Sequence, residues 1–237
     1  MTGWERPAAW YDVLNPWGPG DDFYLELVMS AGSVLDVGCG TGTLLHRARE
    51  AGHTGRLCGL DPDPDMLDQA RRRGDIDWVL ADAASAAWDG EFELGVMTGH
   101  AFQELVGDDE LRRSLLAIRA ALVHGGRFAF ETRHPRARAW EGWNTSFERR
   151  NPDGDAVRVS YEVQEVAGDV VRLTETLTGP WWDRPEVGRG ALRFLDPGTL
   201  NGFLDGAGFA VDRQFGDWDR GPLTDASAEI ITIARRR

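Results

Sequence analysis

"VLDVGCGTG", residues 34–42, is a short apolar run that breaks into glycines at Gly38, Gly40 and Gly42. An apolar strand feeding a glycine-rich turn holds a ligand in several fold classes, and the spacing narrows which. A dinucleotide fingerprint reads G-x-G-x-x-G, so its third glycine would fall at residue 43, which is Thr43. A phosphate-gripping P-loop needs G-x-x-x-x-G-K-[ST], which the stretch lacks. Asp36 stands just before the first glycine. A carboxylate there repels pyrophosphate and attracts a cation, so a cofactor with a positively charged amino-acid end suits the turn better. Gly38 and Gly40 let backbone approach such a ligand without a Cβ clash. Gly42 lets the following helix close on the sheet. A tight strand-to-helix turn with no ligand is the plain alternative.

Outward from this turn, residues 33–135 alternate strand and helix. "TLLHRAREAG" is a helix ending at Gly52, and "GRLCGLD" is the next strand. "PDPDMLDQARRRG" predicts a helix with proline at its start, arginines in its last turn and Gly74 as its stop. "IDWVLAD" and "FELGVMT" read as strands. In "DDELRRSLLAIRAALVHGG", Leu111, Leu115, Ile118 and Leu122 form one apolar helical stripe. "GRFAFET" is a fifth strand. Such alternation predicts an α/β fold, a parallel sheet with helices on both faces. After residue 135 the pattern changes. "ARAWEGWNTSFERRNPDGD" is aromatic and polar with a turn at Pro152–Asp153–Gly154. "AVRVSYEVQEV", "DVVRLTETLTG" and "GRGALRFLD" then alternate like antiparallel strands. "DPGTLNGFLDGAGF" returns to helix and "AEIITIARR" closes with a strand. The expected organisation is a lid and cofactor core over 1–135, an antiparallel β insertion capping the substrate over 136–195, and a final helix and strands over 196–237.

The 237 residues carry 26 basic and 39 acidic side chains, a net charge of −13. That balance is a poor match for a nucleic-acid backbone, whose binding depends on neutralising phosphates. No run approaches the ~18 apolar residues of a membrane span, and the start lacks a secretory pattern. The expectation is a cytoplasmic protein with no membrane or nucleic-acid partner, as a monomer or homodimer. The two cysteines, Cys39 and Cys58, and the five histidines show neither a disulfide framework nor metal-type clustering.

Two further carboxylates sit at strand ends. Asp61 closes the second strand in "GLDPDPDML", where it can accept from both hydroxyls of a ribose; Asp82 closes the third in "VLADAA", where it can accept from an adenine amino group. Each alone is commonly a helix cap, but with Asp36 they form an ordered constellation. With "GVMTGHAFQEL" (95–105) and "HGGRFAFE" (124–131), these stretches resemble the class I S-adenosylmethionine-dependent methyltransferases, specifically small-molecule, natural-product types with an insertion after the fifth strand. The resemblance implies a Rossmann-like, seven-stranded, mostly parallel sheet with an antiparallel last strand, and S-adenosylmethionine over the strand ends. It implies that Gly38, Gly40 and Gly42 line the cofactor, that Asp61 with Pro62 beside it holds the ribose, and that Met66, Asp82 and Ala83 flank the adenine. Thr98 and His100 fall near the reacting centre. Tyr11 or Trp10, on an N-terminal helix in "AAWYDVLNPW", would close the site.

Methyl transfer from an activated sulfonium needs mainly alignment and exclusion of water. A base matters only for a hydroxyl or protonated amine acceptor. His100 is the base candidate, with a cofactor contact or helix cap as its other reading; Glu131 in "FETRHP" is the second, with an ion pair to Arg133 as its other reading. Of ten tryptophans, Trp140, Trp143, Trp181 and Trp182 lie in the insertion and would wall a flat, sugar-like or cationic acceptor, or pack its core. The function expected is methylation of O or N of a small molecule. Competing readings are a protein-directed methyltransferase, a non-catalytic S-adenosylmethionine-binding protein and an NAD-linked oxidoreductase, the last opposed by the missing fingerprint glycine.

Overall fold

The structure is a computed structural model that describes residues 8–180 and 182–237. In chain order it runs α1 (Ala8–Leu14), α2 (Pro19–Met29), β1 (Ser33–Val37), α3 (Thr43–Glu50), β2 (Arg56–Asp61), α4 (Pro64–Ala70), β3 (Asp77–Leu80) and β4 (Phe92–Met97). Then follow α5 (Asp108–Ala121), β5 (Leu122–Arg133), β6 (Thr145–Arg150), β7 (Ala156–Ala167), β8 (Val170–Thr178), β9 (Glu186–Arg193), α6 (Pro197–Gly206), β10 (Phe209–Phe215) and β11 (Glu229–Arg236). Seven strands form one sheet in the order β10-β11-β5-β4-β1-β2-β3, and four form a second in the order β6-β7-β8-β9. In the large sheet β1 to β5 pair in parallel, whereas β11 runs antiparallel to both β5 and β10. The small sheet is antiparallel throughout.

The core strands are continuous apolar runs because helices cover both faces of the sheet. Leu35, Val37, Phe128 and Phe130 point to α5 and α6, while Val34, Val96, Ala129 and Ile231 point to α2 and α3. Leu111, Leu115 and Ile118 of α5 are wholly buried, as the stripe predicts. Leu122 does not continue that stripe. It turns extended and opens β5, so the fifth strand starts earlier than "GRFAFET". α4 likewise ends at Ala70, before its arginines. The chain must double back to reach β3, and the Trp78 indole N–H fixes that turn by donating to the Arg73 carbonyl at 3.0 Å. β6 was hidden in the polar stretch because only Phe147 of its six residues is more than marginally covered, leaving no alternation to read. β10 was hidden for the same reason, with mostly polar residues between its terminal phenylalanines.

Trp78 also explains one glycine of the opening turn. Gly42 has φ +77°, and a Cβ there would lie 2.4 Å from the Trp78 ring and 3.1 Å from Ala70 Cβ. Gly42→Ala is expected to cost about 3 kcal/mol, from left-handed strain plus overpacking, and to lower the thermal midpoint by several degrees. An unchanged midpoint would show that the indole yields freely.

Candidate active site

A cavity of about 380 Å³ opens over the carboxyl ends of the parallel strands. It sits where the strand order reverses between β1 and β4, the place open α/β sheets reserve for ligands. Its floor is the glycine turn. The N–H groups of Gly38 and Cys39 both donate to the Leu60 carbonyl, at 2.7 and 3.0 Å, which ties the turn to the end of β2. Gly38 (φ +73°) and Gly40 (φ +55°) face the cavity. Asp61 fixes the turn from the other side: Oδ2 accepts from Gly40 N–H at 2.7 Å and Oδ1 from Asp63 N–H at 2.9 Å. Burial raises the Asp61 carboxyl above its ordinary range, and these two N–H donors oppose that rise. Pro62, Asp63 and Met66 continue the wall.

α1 closes one side with three differently assigned faces. Trp10 is buried against Val157, Val159 and Leu177 of the small sheet. Asp12 Oδ1 accepts from the hydroxyls of Thr41 (2.6 Å) and Thr43 (3.1 Å), which docks the helix on the glycine turn. Tyr11 then lies across the mouth: its ring is 3.7 Å from where a Gly40 Cβ would be, and its hydroxyl 3.8 Å from where a Gly99 Cβ would be. The small sheet roofs the cavity through Tyr161, Leu173 and Leu192.

The loop after β4 is held in an unusual shape. Gly99 and His100 are both left-handed, with φ of +67° and +62°. His100 N–H donates to Glu131 Oε1 at 2.7 Å, and the Tyr24 hydroxyl donates to Glu131 Oε2. His100 reaches the cavity wall, but its Nε2 is 3.0 Å from Glu229 Oε2 and its Nδ1 is 4.0 Å from Glu131 Oε1. Burial pushes the Glu131 carboxyl and the Tyr24 hydroxyl up from their ordinary values; the neighbouring carboxylate adds to the rise at Tyr24.

The cavity therefore brings together Tyr11, Gly38, Gly40, Asp61, Pro62, Met66, Thr98, His100 and Trp143 of the sequence-derived candidates. The others lie elsewhere, each for a packing reason. Glu131 is 2% exposed and enclosed by Tyr24 and the His100 backbone; its partner is neither an acceptor site nor Arg133. Asp82 caps the short 3-10 turn after β3 by accepting from Ser85 N–H at 2.8 Å, and Ala83 packs into the core behind it. Gly42 abuts Trp78. Trp140 sits edge-on against Phe194 with centroids 4.6 Å apart, and Trp182 packs against the Trp10 cluster. Trp181 lies outside the described residues. Arg133, Gln103, Glu229 and Tyr161 were not singled out as site residues, although the period-2 row Val157, Val159, Tyr161 marks a covered face. Glu229 carries no local signal; only the pairing of β11 with β5 brings it to His100.

Asp36 is also off the cavity wall, 1% exposed, and neither of its carboxylate oxygens has a hydrogen-bond partner among the described residues. Burial first, then the charges of Asp61 and Glu131, raise its carboxyl to about 8. A buried carboxylate left without a donor beneath a glycine cradle is what a cationic ligand would complete. With Asp61 for a diol and Met66 for a flat ring, the residues present fit S-adenosylmethionine.

Comparison with known proteins agrees. Residues 34–126 match the family model described as "Methyltransferase domain". The 2-phytyl-1,4-naphtoquinone methyltransferase of Thermosynechococcus vestitus is 33% identical over 152 residues, which span 58% of this chain and 66% of that protein. The ribosomal protein L11 methyltransferase of Burkholderia mallei is 38% identical over 79 residues, but these span only 31% of this chain and 25% of its relative. Among solved structures, the CcbJ methyltransferase from Streptomyces caelestis superposes with a TM-score of 0.78 at 18% identity, covering 100% of this chain and 98% of that one. CalS10 with bound S-adenosylmethionine, an amino pentose methyltransferase from Micromonospora echinaspora, gives 0.73 at 22% identity, covering 97% and 95%. Residues 34–126 carry a methyltransferase domain, and the fold is that of S-adenosylmethionine-dependent methyltransferases.

Proposed function

We propose that the protein transfers a methyl group from S-adenosylmethionine to an oxygen or nitrogen of a small-molecule acceptor. The observation that carries this reading is the single cavity wall shared by the two halves of the fold: cofactor-type loops after β1, β2 and β4 on one side, the β7–β9 roof on the other. Asp61, Gly38, Gly40, Met66 and Tyr11 would hold the cofactor, with the buried Asp36 carboxyl behind the turn favouring its cationic end; when bound the cofactor supplies an electrophilic methyl on a sulfonium. The chain's own task is then alignment and exclusion of water, by Tyr11 across the mouth and the apolar roof residues Leu173 and Leu192. The named relatives that act on a naphthoquinone and an amino pentose favour a small acceptor. The protein-directed alternative rests on a much shorter match, over 79 residues.

Both nitrogens of His100 face carboxylates, so we assign it to positioning: it anchors the left-handed loop to Glu229 beside the reacting centre. His100→Ala is accordingly expected to lower kcat by about tenfold or less with an unshifted pH profile, whereas loss of a general base costs roughly 10²–10⁴. A larger fall with a displaced acidic limb would restore His100 as the base. The function itself is tested by following S-adenosylhomocysteine formation with amines, phenols and amino sugars. Tight cofactor binding without product across the panel would favour a non-catalytic binding protein.

A further inference from the structure

We infer that the cavity end beside Arg133 is an oxyanion subsite, so that the acceptor is an amine or hydroxyl compound that also carries a carboxylate or phosphate. The inference rests on the methyltransferase reading for the word acceptor, but not for the subsite itself.

Arg133 closes β5 and lines the cavity. Along the sheet it stands three strands from Asp61, about 14 Å at the usual strand spacing, on the far side of the β1/β4 reversal. Its guanidinium is held in place without being neutralised. Gln103, fully buried, donates from Nε2 to the Arg193 carbonyl at 2.9 Å, which fixes its amide orientation. Oε1 then accepts from the Arg133 backbone N–H (3.2 Å) and from Nη1–H (3.1 Å). The Trp143 ring lies under the guanidinium, 5.1 Å from centroid to Cζ. A guanidinium offers five N–H donors in a planar fork, and among the described residues only Gln103 accepts from this one. No carboxylate of the described residues forms an ion pair with it. Arg193, which also borders this end of the fold, is treated differently. It is 13% exposed and takes both Asp108 (2.8 Å) and Asp169 (2.7 Å).

The nearby carboxylates are already engaged. Glu229, opposite Arg133 in the β5–β11 register, faces His100, and Glu131 is committed to Tyr24 and the His100 N–H. Burial disfavours the guanidinium's protonated form, and the charges of Glu229 and Glu131 oppose that effect. Glu104 and the roof residue Tyr161 share the same end of the cavity. A neutral amide and an aromatic face thus orient a cation whose other N–H groups meet no acceptor among the described residues and suit bidentate binding of an oxyanion.

The test uses the full chain with S-adenosylhomocysteine, and calorimetry with inorganic phosphate, acetate and two matched pairs: glucosamine against glucosamine 1-phosphate, and tyramine against tyrosine. In the wild type the member of at least one pair that bears the carboxylate or phosphate is expected to bind at least tenfold more tightly than the member that lacks it. The phosphate and carboxylate arms tell which oxyanion the subsite takes. Arg133→Gln abolishes the difference and Arg133→Lys retains part of it, while S-adenosylhomocysteine affinity and the melting temperature stay unchanged. Equal affinity of the members with and without the oxyanion group in the wild type, or a preference that survives in Arg133→Gln, would overturn the subsite. The wild-type comparison alone decides if the variants fail to fold. The inorganic anions are also titrated without S-adenosylhomocysteine, so failure of the cofactor to bind would count against the methyltransferase reading and leave the subsite measurable.

Discussion

Asp61→Ala is expected to weaken S-adenosylhomocysteine binding by about 100-fold or more. In the proposed assignment the carboxylate accepts from two ribose hydroxyls, and hydrogen bonds to a charged acceptor contribute about 1.5–3 kcal/mol each, so losing both exceeds the ~2.7 kcal/mol that 100-fold requires. Asp61 also holds the turn itself through Gly40 N–H and Asp63 N–H, so the alanine variant frees two backbone donors beside the ligand. Asp61→Asn separates the two contributions. It keeps one acceptor oxygen and the side-chain shape, and its loss should be smaller. Because burial raises the Asp61 carboxyl, cofactor affinity should decline on acidification sooner than an ordinary carboxylate would dictate. Calorimetry across pH checks this, and unchanged affinity in Asp61→Ala would remove Asp61 from the cofactor site.

The parts of the site that were legible in the sequence are the ones whose geometry is local. The Gly38-x-Gly40 turn and Asp61 are each fixed by the strand they terminate, and a strand's end is readable from its apolar run. What was not legible depends on which face of a strand a residue takes and on what packs there. Glu131 shares its face with Ala129, against α2, so it meets Tyr24, a residue 107 positions away in sequence, rather than a ligand. Asp82 stands at a strand end as Asp61 does, but its strand lies at the sheet edge, away from the reversal, and the residue caps a turn. The described tryptophans of the insertion lie in its turns and divide by what packs there, with Trp143 on the cavity, Trp140 edge-on to Phe194 and Trp182 in the α1 cluster. Arg133 looked like a counter-ion because an acid preceded it by two residues. Only the orientation of Gln103 shows that the Arg133 guanidinium is held by a neutral amide rather than by that acid.

Asp36→Asn carries the second large effect, and its sign is fixed by where the carboxyl titrates. In the cofactor-free fold the group sits at about 8, against an ordinary value of about 3.9 in the unfolded chain. Below about pH 4 both states are protonated and the group adds no pH dependence. From there to about 8 the folded protein keeps a proton that the unfolded chain has released, so stability falls with rising pH; above that the loss is complete and constant. A shift of this size is worth up to roughly 5 kcal/mol, reduced by whatever relaxation the site allows. An asparagine side chain at this position cannot ionise. The cofactor-free variant should therefore lose this slope and melt several degrees above wild type at about pH 9, while the two converge toward about pH 5. Toward the cofactor the effect reverses. A cationic ligand over Asp36 favours its ionised form, so binding to the wild type at about pH 7 should release a proton, seen as enthalpies that differ between phosphate and Tris buffers. Asp36→Asn should bind about 10–100-fold more weakly and show no such buffer dependence. One substitution that stabilises the empty protein at high pH and weakens its complex would mark Asp36 as a charge buried for the ligand. Parallel stability curves with buffer-independent binding in both proteins would mean that the carboxyl serves only the packing of β1.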